Sequence, residues 1–208
     1  MGQPFTRLSL QMRKAPRVAG SRRGLAKVGP EALSPASLLT RILAADALLR
    51  RKATFVFALM PGSRDVCLKF ANYVGDLPGP QPGTSLLGAS VAAAFDAVDP
   101  HGVAPYTVAA HLEGFANFCA GMLAHSSYLL SLESVDSRGR TWNPLLGPFS
   151  DWCQDAEGAV SVHTVDPSLI PDHLDATVRL YLLSRLLTRH DLPRMVARWP
   201  DITRRSAC

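Results

Sequence analysis

No acidic side chain occurs in the first 29 residues, although seven basic ones do: Arg7, Arg13, Lys14, Arg17, Arg22, Arg23 and Lys27. All 17 acidic groups fall later, together with the remaining 15 basic ones, so the formal charge of +5 is concentrated on the arm. Apolar runs are short. None approaches the roughly 20 residues of a membrane-spanning helix. Cysteine is scarce: Cys67, Cys119, Cys153 and Cys208 form no CxxC pair, which argues against a disulfide framework or a zinc ribbon. The signatures of a P-loop, a GxGxxG turn, an HExxH helix, a GxSxG elbow and a zinc finger are all missing. His101, His111, His125, His163, His173 and His190 lie scattered, with no pair at the i,i+4 spacing of helical metal ligands. These absences point away from an enzyme, and no metal or other cofactor is expected.

What is present is a globular composition. Hydrophobic residues make up 47% of 208, enough to bury an interior. The basic residues of the body fall in two groups. Arg41, Arg50, Arg51, Lys52, Arg64 and Lys69 come early; Arg179, Arg185, Arg189, Arg194, Arg198, Arg204 and Arg205 come late. Between residues 70 and 170 only Arg138 and Arg140 are basic, against ten carboxylates. Basic clusters around a more acidic middle suit a polyanionic partner.

Periodicity predicts a mostly helical, all-α body. Ser34-Pro35 is a helix start, with Leu38, Leu39, Ile42, Leu43, Leu48 and Leu49 recurring behind it. Thr54–Met60 is too apolar to face water and reads as helix, since no sheet partner is evident nearby. Pro61-Gly62 breaks the chain, and Ser63 is expected to cap the next helix through Val74. Asp76–Gly83, with three prolines, divides an N-terminal lobe (34–80) from a C-terminal one (81–208). Thr84 or Ser85 opens a small-residue helix, and Thr107 a long one to about Leu132. Residues 141–171 read as irregular, with a short strand near Ala159–Val165. Asp172 caps the last long helix, and a short one follows around Pro193–Trp199.

Candidate RNA contacts centre on Gly62, Ser63 and Arg64, because a helix N-terminus presents unpaired N–H groups to a phosphate. Lys69 lies further along the same helix, and Arg41, Arg50, Arg51 and Lys52 precede it. Arg185 marks the basic side of the last long helix. The same residues also read as an ordinary capped helix with solvated charges. Asp151 and Asp155 stand at i,i+4 spacing and, lacking a partner constellation, read as a solvated pair. Cys67 and Cys119 read as small buried hydrophobes.

The arm, residues 1–33, reads as a basic, flexible segment with Phe5, Leu8, Leu10 and Met12 as apolar anchors for a neighbouring protomer. It also fits a mitochondrial presequence at residues 1–29, in which case the body would be a helical subunit of a large assembly. Its first six residues match a loose myristoylation pattern as well.

In the order of its landmarks the chain resembles the nucleocapsid proteins of phleboviruses and tenuiviruses. The stretches that carry the resemblance are Leu33–Leu43, Phe55–Arg64, Thr107–Phe115, and Val165-Asp166-Pro167-Ser168-Leu169 leading into Leu174–Leu183. The resemblance implies an all-helical, two-lobed fold whose basic cleft sequesters single-stranded RNA, and homo-oligomers joined by the arm. It places Gly62, Ser63 and Arg64 on an RNA-contacting loop, with Lys69 near the basic helix that follows. It also implies the viral RNA polymerase as a partner, and the virion and host cytoplasm as locations. Thr107 stands where the family often has an arginine, and Trp152–Val162 is an insertion relative to the pattern.

Overall fold

The computed structural model describes residues 24–28, 33–98, 108–166, 172–188 and 191. The described residues form seven α-helices and three short strands, in the order β1 (Gly24–Val28), α1 (Pro35–Ala45), α2 (Ala47–Leu59), α3 (Gly62–Val74), α4 (Leu86–Asp96), α5 (Val108–Met122), β2 (Leu132–Val135), α6 (Phe149–Asp155), β3 (Val160–Thr164) and α7 (Asp172–Leu186). The body is thus mostly helical but not all-α. Its strands form an antiparallel sheet in the order β1-β3-β2. The strand expected near 159–165 is the central one. Its partner β1 lies inside the basic arm, so Gly24–Val28 is tied to the body by a ladder that runs from Gly24 opposite His163 to Val28 opposite Val160.

Local chemistry sets most helix ends. The Ser34 hydroxyl accepts from Ser37 N at 3.2 Å, with Pro35 at the first helical position. The apolar pattern from Leu38 to Leu49 does not make one helix. Asp46 turns extended, and its carboxylate accepts from Leu48 N and Leu49 N at 2.8 and 3.0 Å, which ends α1 and caps α2 in one residue. Thr54–Leu59 is helical as expected, although Phe55 stays 42% exposed. Ser63 is no cap. It sits inside α3, buried, and its hydroxyl donates back to Met60 O at 2.6 Å, while Pro61 occupies the capping position without a side-chain bond. Gly75 closes α3 at φ 57°, a left-handed conformation that favours glycine.

The proline-rich stretch after it is closed off by backbone bonds: Gly79 N donates to Thr84 O at 2.8 Å and Leu86 N to Leu77 O at 2.9 Å. Ser85 is the cap of α4, accepting from Gly88 N at 3.0 Å. The long helix foreseen to Leu132 stops at Met122. Buried Ser126 donates to Leu123 O at 2.7 Å, a 3-10 turn spans Ser126–Ser131, and β2 follows. α6 forms in a segment whose sequence reads as irregular. Thr107, the segment 193–199 and the basic tail lie outside the described residues.

Buried side chains from α1 to α7 make one connected core. α3 lies at its centre, packing against each of the other six helices, and Cys67, Phe70, Ala71 and Val74 are fully enclosed. Cys67 and Cys119 are both core residues, as expected; burial pushes the Cys67 thiol up to about 12. A chain of rings, Phe57–Phe95–Phe118–Phe115, runs with centroid spacings of 5.6, 5.9 and 6.4 Å. Among the described residues no helix is long and apolar enough to cross a membrane.

The tightest approach is between α4 and α5. A Cβ on Gly121 would lie 2.5 Å from Ala93 O and 2.7 Å from Ala94 Cα, and neither backbone atom can swing aside. Gly121→Ala is therefore expected to destabilise the fold by about 3 kcal/mol through overpacking. Urea denaturation checks this; a variant within about 0.5 kcal/mol of the parent, the usual range of a neutral surface change, would mean that the two helices are not in close contact.

Candidate nucleic-acid interface

The outward side of α3 floors two adjoining cavities. Leu68 lines both, together with Ala36 of α1. The larger is a cleft of about 940 Å³, and the smaller an apolar groove of about 540 Å³.

Lys69, Asn72 and Tyr73 of α3 and Arg185 and Leu186 of α7 form one side of the cleft. Lys69 Nζ donates to Leu186 O at 3.2 Å and pairs with Asp65 at 2.7 Å. A cation thus meets the carbonyl end of a helix, which suits both charge and unpaired carbonyls. Arg185 donates to the Tyr181 hydroxyl at 3.1 and 3.3 Å, and its guanidinium carbon lies 5.2 Å from that ring's centroid. Tyr181 in turn packs edge-on against Tyr73 at 6.3 Å. Burial, reinforced by Tyr181, pushes the Tyr73 hydroxyl well above the usual tyrosine range. It remains a neutral donor, bonded to Pro144 O.

Most of the remaining lining comes from a single segment, Thr141 to Asp155. Its anchor is Asp136, whose side chain is fully buried. Asp136 accepts from Arg138 N and Arg140 N at 3.0 and 2.8 Å and from Arg140 Nε at 2.7 Å. Arg140 also donates to Asp155 O, and Arg138 pairs with Glu157 at 2.5 Å, so both ends of the segment are clamped. Within it Trp142 packs on Phe149 at 5.2 Å and Phe149 on Trp152 at 5.9 Å. The Trp142 indole donates to Gly147 O at 3.1 Å, and Ser150 Oγ reaches across to Asn72 O at 2.6 Å.

The residues expected to touch RNA are divided by the fold. Lys69 and Arg185 meet in the cleft. Arg64 is exposed and lines the groove next to it. Gly62 is exposed at the start of α3. Buried Ser63 does not offer its side chain to a strand at the surface, because its hydroxyl is spent on Met60 O. Arg41 is paired with Asp76 at 2.6 Å and Lys52 with Asp96. Arg50 and Arg51 are exposed on α2 with no carboxylate partner among the described residues. None of these four lines the cleft or the groove. Arg179 is paired with Asp175 at 3.0 Å. Phe5, Leu8, Leu10 and Met12 lie outside the described residues.

Sequence reasoning passed over Tyr73, Trp142 and Trp152, which have no spacing that distinguishes them from core aromatics. Asp151 and Asp155 did carry a signal, their i,i+4 spacing. Both are exposed, and both line the same cleft as Lys69 and Arg185. The cleft is therefore of mixed charge rather than uniformly basic. No family model, curated protein or solved structure matches the chain.

Burial pushes the Asp136 carboxyl up, but the Arg140 side chain, the backbone N–H groups of Arg140 and Glu157 and the Arg140 charge outweigh it and hold the group below the ordinary carboxylate range. A depressed carboxyl stabilises the fold above its unfolded-state value, about 3.9, and loses that contribution as pH falls through the folded one. Asp136→Asn is accordingly expected to be less stable than the parent at pH 7, with the gap closing below about pH 3.9. Denaturation curves across this range check it; a gap that stays constant with pH would contradict the anchoring role of the charge.

Proposed function

We propose that the protein is a nucleoprotein that coats single-stranded RNA and self-associates through its basic arm. One observation carries the reading. Lys69 and Arg185, far apart in sequence, stand together in a cleft that also holds half-buried Trp152, while Tyr73 and Trp142 are buried in its wall. Cations take phosphates and aromatic faces take bases, which is the usual pairing for single strands. Arg64 extends the positive charge into the adjoining groove. The collinear resemblance to phlebovirus and tenuivirus nucleocapsids supports the same reading. No catalytic step is assigned to it.

Affinity for single-stranded RNA is expected to fall steeply with salt, by about 0.7 log units per contacted phosphate per log unit of salt. Lys69→Glu and Arg185→Glu should each weaken binding and flatten that slope by about 0.7 per lost contact. Arg50→Glu, at a residue that lines neither cavity, should have a smaller effect. Fluorescence anisotropy over a salt series measures all of these. Failure to bind RNA at low salt overturns the proposal.

The arm is tested separately. Since β1 belongs to the sheet, the truncation that spares the fold removes residues 1–23. It should leave a folded monomer, because apolar anchors on an extended arm assemble protomers without a rigid interface. If light scattering finds the same oligomers with and without these residues, the arm is not what joins them.

A further inference from the structure

β1 comes from the arm, yet a single ladder ties it to the body. It pairs antiparallel with β3, Ala26 opposite Val162 and Lys27 opposite Ser161, and this is its one extensive contact among the described elements. It stands at the edge of the sheet, with β3 as its strand neighbour. The body does not depend on β1 for its own start, since α1 opens on the Ser34 cap and packs on α2 and α3. Five residues, Gly29 to Leu33, join the strand to that cap. Fully extended they span about 18 Å, and Pro30 biases the residue before it toward extended backbone. A short, stiff connector is where an edge element is readily exchanged between copies.

From this topology we propose, resting on the self-association read above, that β1 is an exchanged strand: in the assembled protein it lies on β3 of the next copy. The ladder is the same within a chain and between chains, so exchange gives up none of its hydrogen bonds. Within one chain the tether holds β1 at high effective concentration, so exchange needs a further contribution. Residues 1–23 provide it, being long enough to reach back to the junction of two copies. That junction is a surface a single chain does not have, and burial of Phe5, Leu8, Leu10 and Met12 against it favours the exchanged form. The donated strand and the β3 edge that accepts it are different surfaces. Exchange therefore passes from copy to copy, head to tail, and builds a row that can follow an RNA strand.

The experiment uses the opposed pair Lys27 and Ser161. Facing residues of an antiparallel ladder have Cα atoms about 4.5–5.5 Å apart, within the roughly 4.4–6.8 Å that a disulfide spans. The full chain carries K27C and S161C together with Cys153→Ser and Cys208→Ser, while Cys67 and Cys119 stay in the core. After mild oxidation the protein is run on a denaturing, non-reducing gel, and mass spectrometry identifies the linked peptides. Most of the linked protein is expected in covalent species of two or more chains. Co-expressed single variants, one K27C and the other S161C, should give the mixed disulfide dimer. Removing residues 1–23 from the double variant should turn the linkage inward and leave one-chain species; interchain links that persist overturn the role given to the anchors. A 27–161 link confined to single chains, in protein that light scattering finds oligomeric, overturns the exchange and leaves the self-association reading standing. If the two positions do not link at all, the ladder is not formed and the inference falls. A monomeric full chain overturns self-association and exchange together, while RNA binding is decided by the anisotropy series.

Discussion

The structure depends on the burial of α3. A helix with one apolar stripe packs on one neighbour; α3 is apolar around a wide arc, with Ser63, Val66, Cys67, Phe70, Ala71, Tyr73 and Val74 all buried. It must be surrounded, and the other six helices surround it. Each fully buried large side chain contributes about 1.5–3 kcal/mol relative to exposure, so this one helix organises a large share of the stabilisation. Its remaining arc has to face water. There Arg64, Leu68, Lys69 and Asn72 become the floor of both cavities, and the position of the candidate site follows from how the core is built.

The second constraint is electrostatic. The Thr141–Asp155 wall carries little regular structure beyond the two turns of α6, and its path is set by the charge on Asp136. A buried carboxylate is costly unless its oxygens are satisfied. Here Arg140 and the amides of Arg138 and Arg140 satisfy them, which fixes where the segment leaves β2. The Arg140 bond to Asp155 O and the Arg138–Glu157 pair bring it back toward β3. Tyr73, buried and neutral, ties the middle of the wall to α3 through Pro144. Cleft and core are thus joined at three points, so mixed charge can be presented across the opening without either wall being loose.

Helices α1, α4 and α7 were legible because their signals are local: Ser34-Pro35, Ser85 and an apolar period of 3.6. Even so, Asp46 splits a stretch whose apolar pattern runs through it, because a side-chain cap outcompetes continuation. Ser63 misled for a related reason. With Pro61 in the capping position the helix starts two positions earlier, and a serine inside the first turn bonds backward instead of capping. The sheet was half legible. β3 reads as a strand, but β1 sits in a basic arm and β2 at the end of an apolar run that looks helical. A strand is identified by its partner, and the partners here lie far apart in sequence.

The sequence by itself determined the helical character of the body, the segregation of charge, the burial of Cys67 and Cys119, and the identity of Arg64, Lys69 and Arg185 as cations worth following. Each is a property of composition or of neighbours within a turn or two of helix. Only the tertiary structure decided which cations stand together. It paired Arg41 with Asp76 and Lys52 with Asp96, set Lys69, itself paired with Asp65, beside the end of α7, and placed Asp151 and Asp155 in the same cleft. Pairing of charges depends on distance through space, and distances between residues on different elements are set by the packing around α3, which no local pattern encodes.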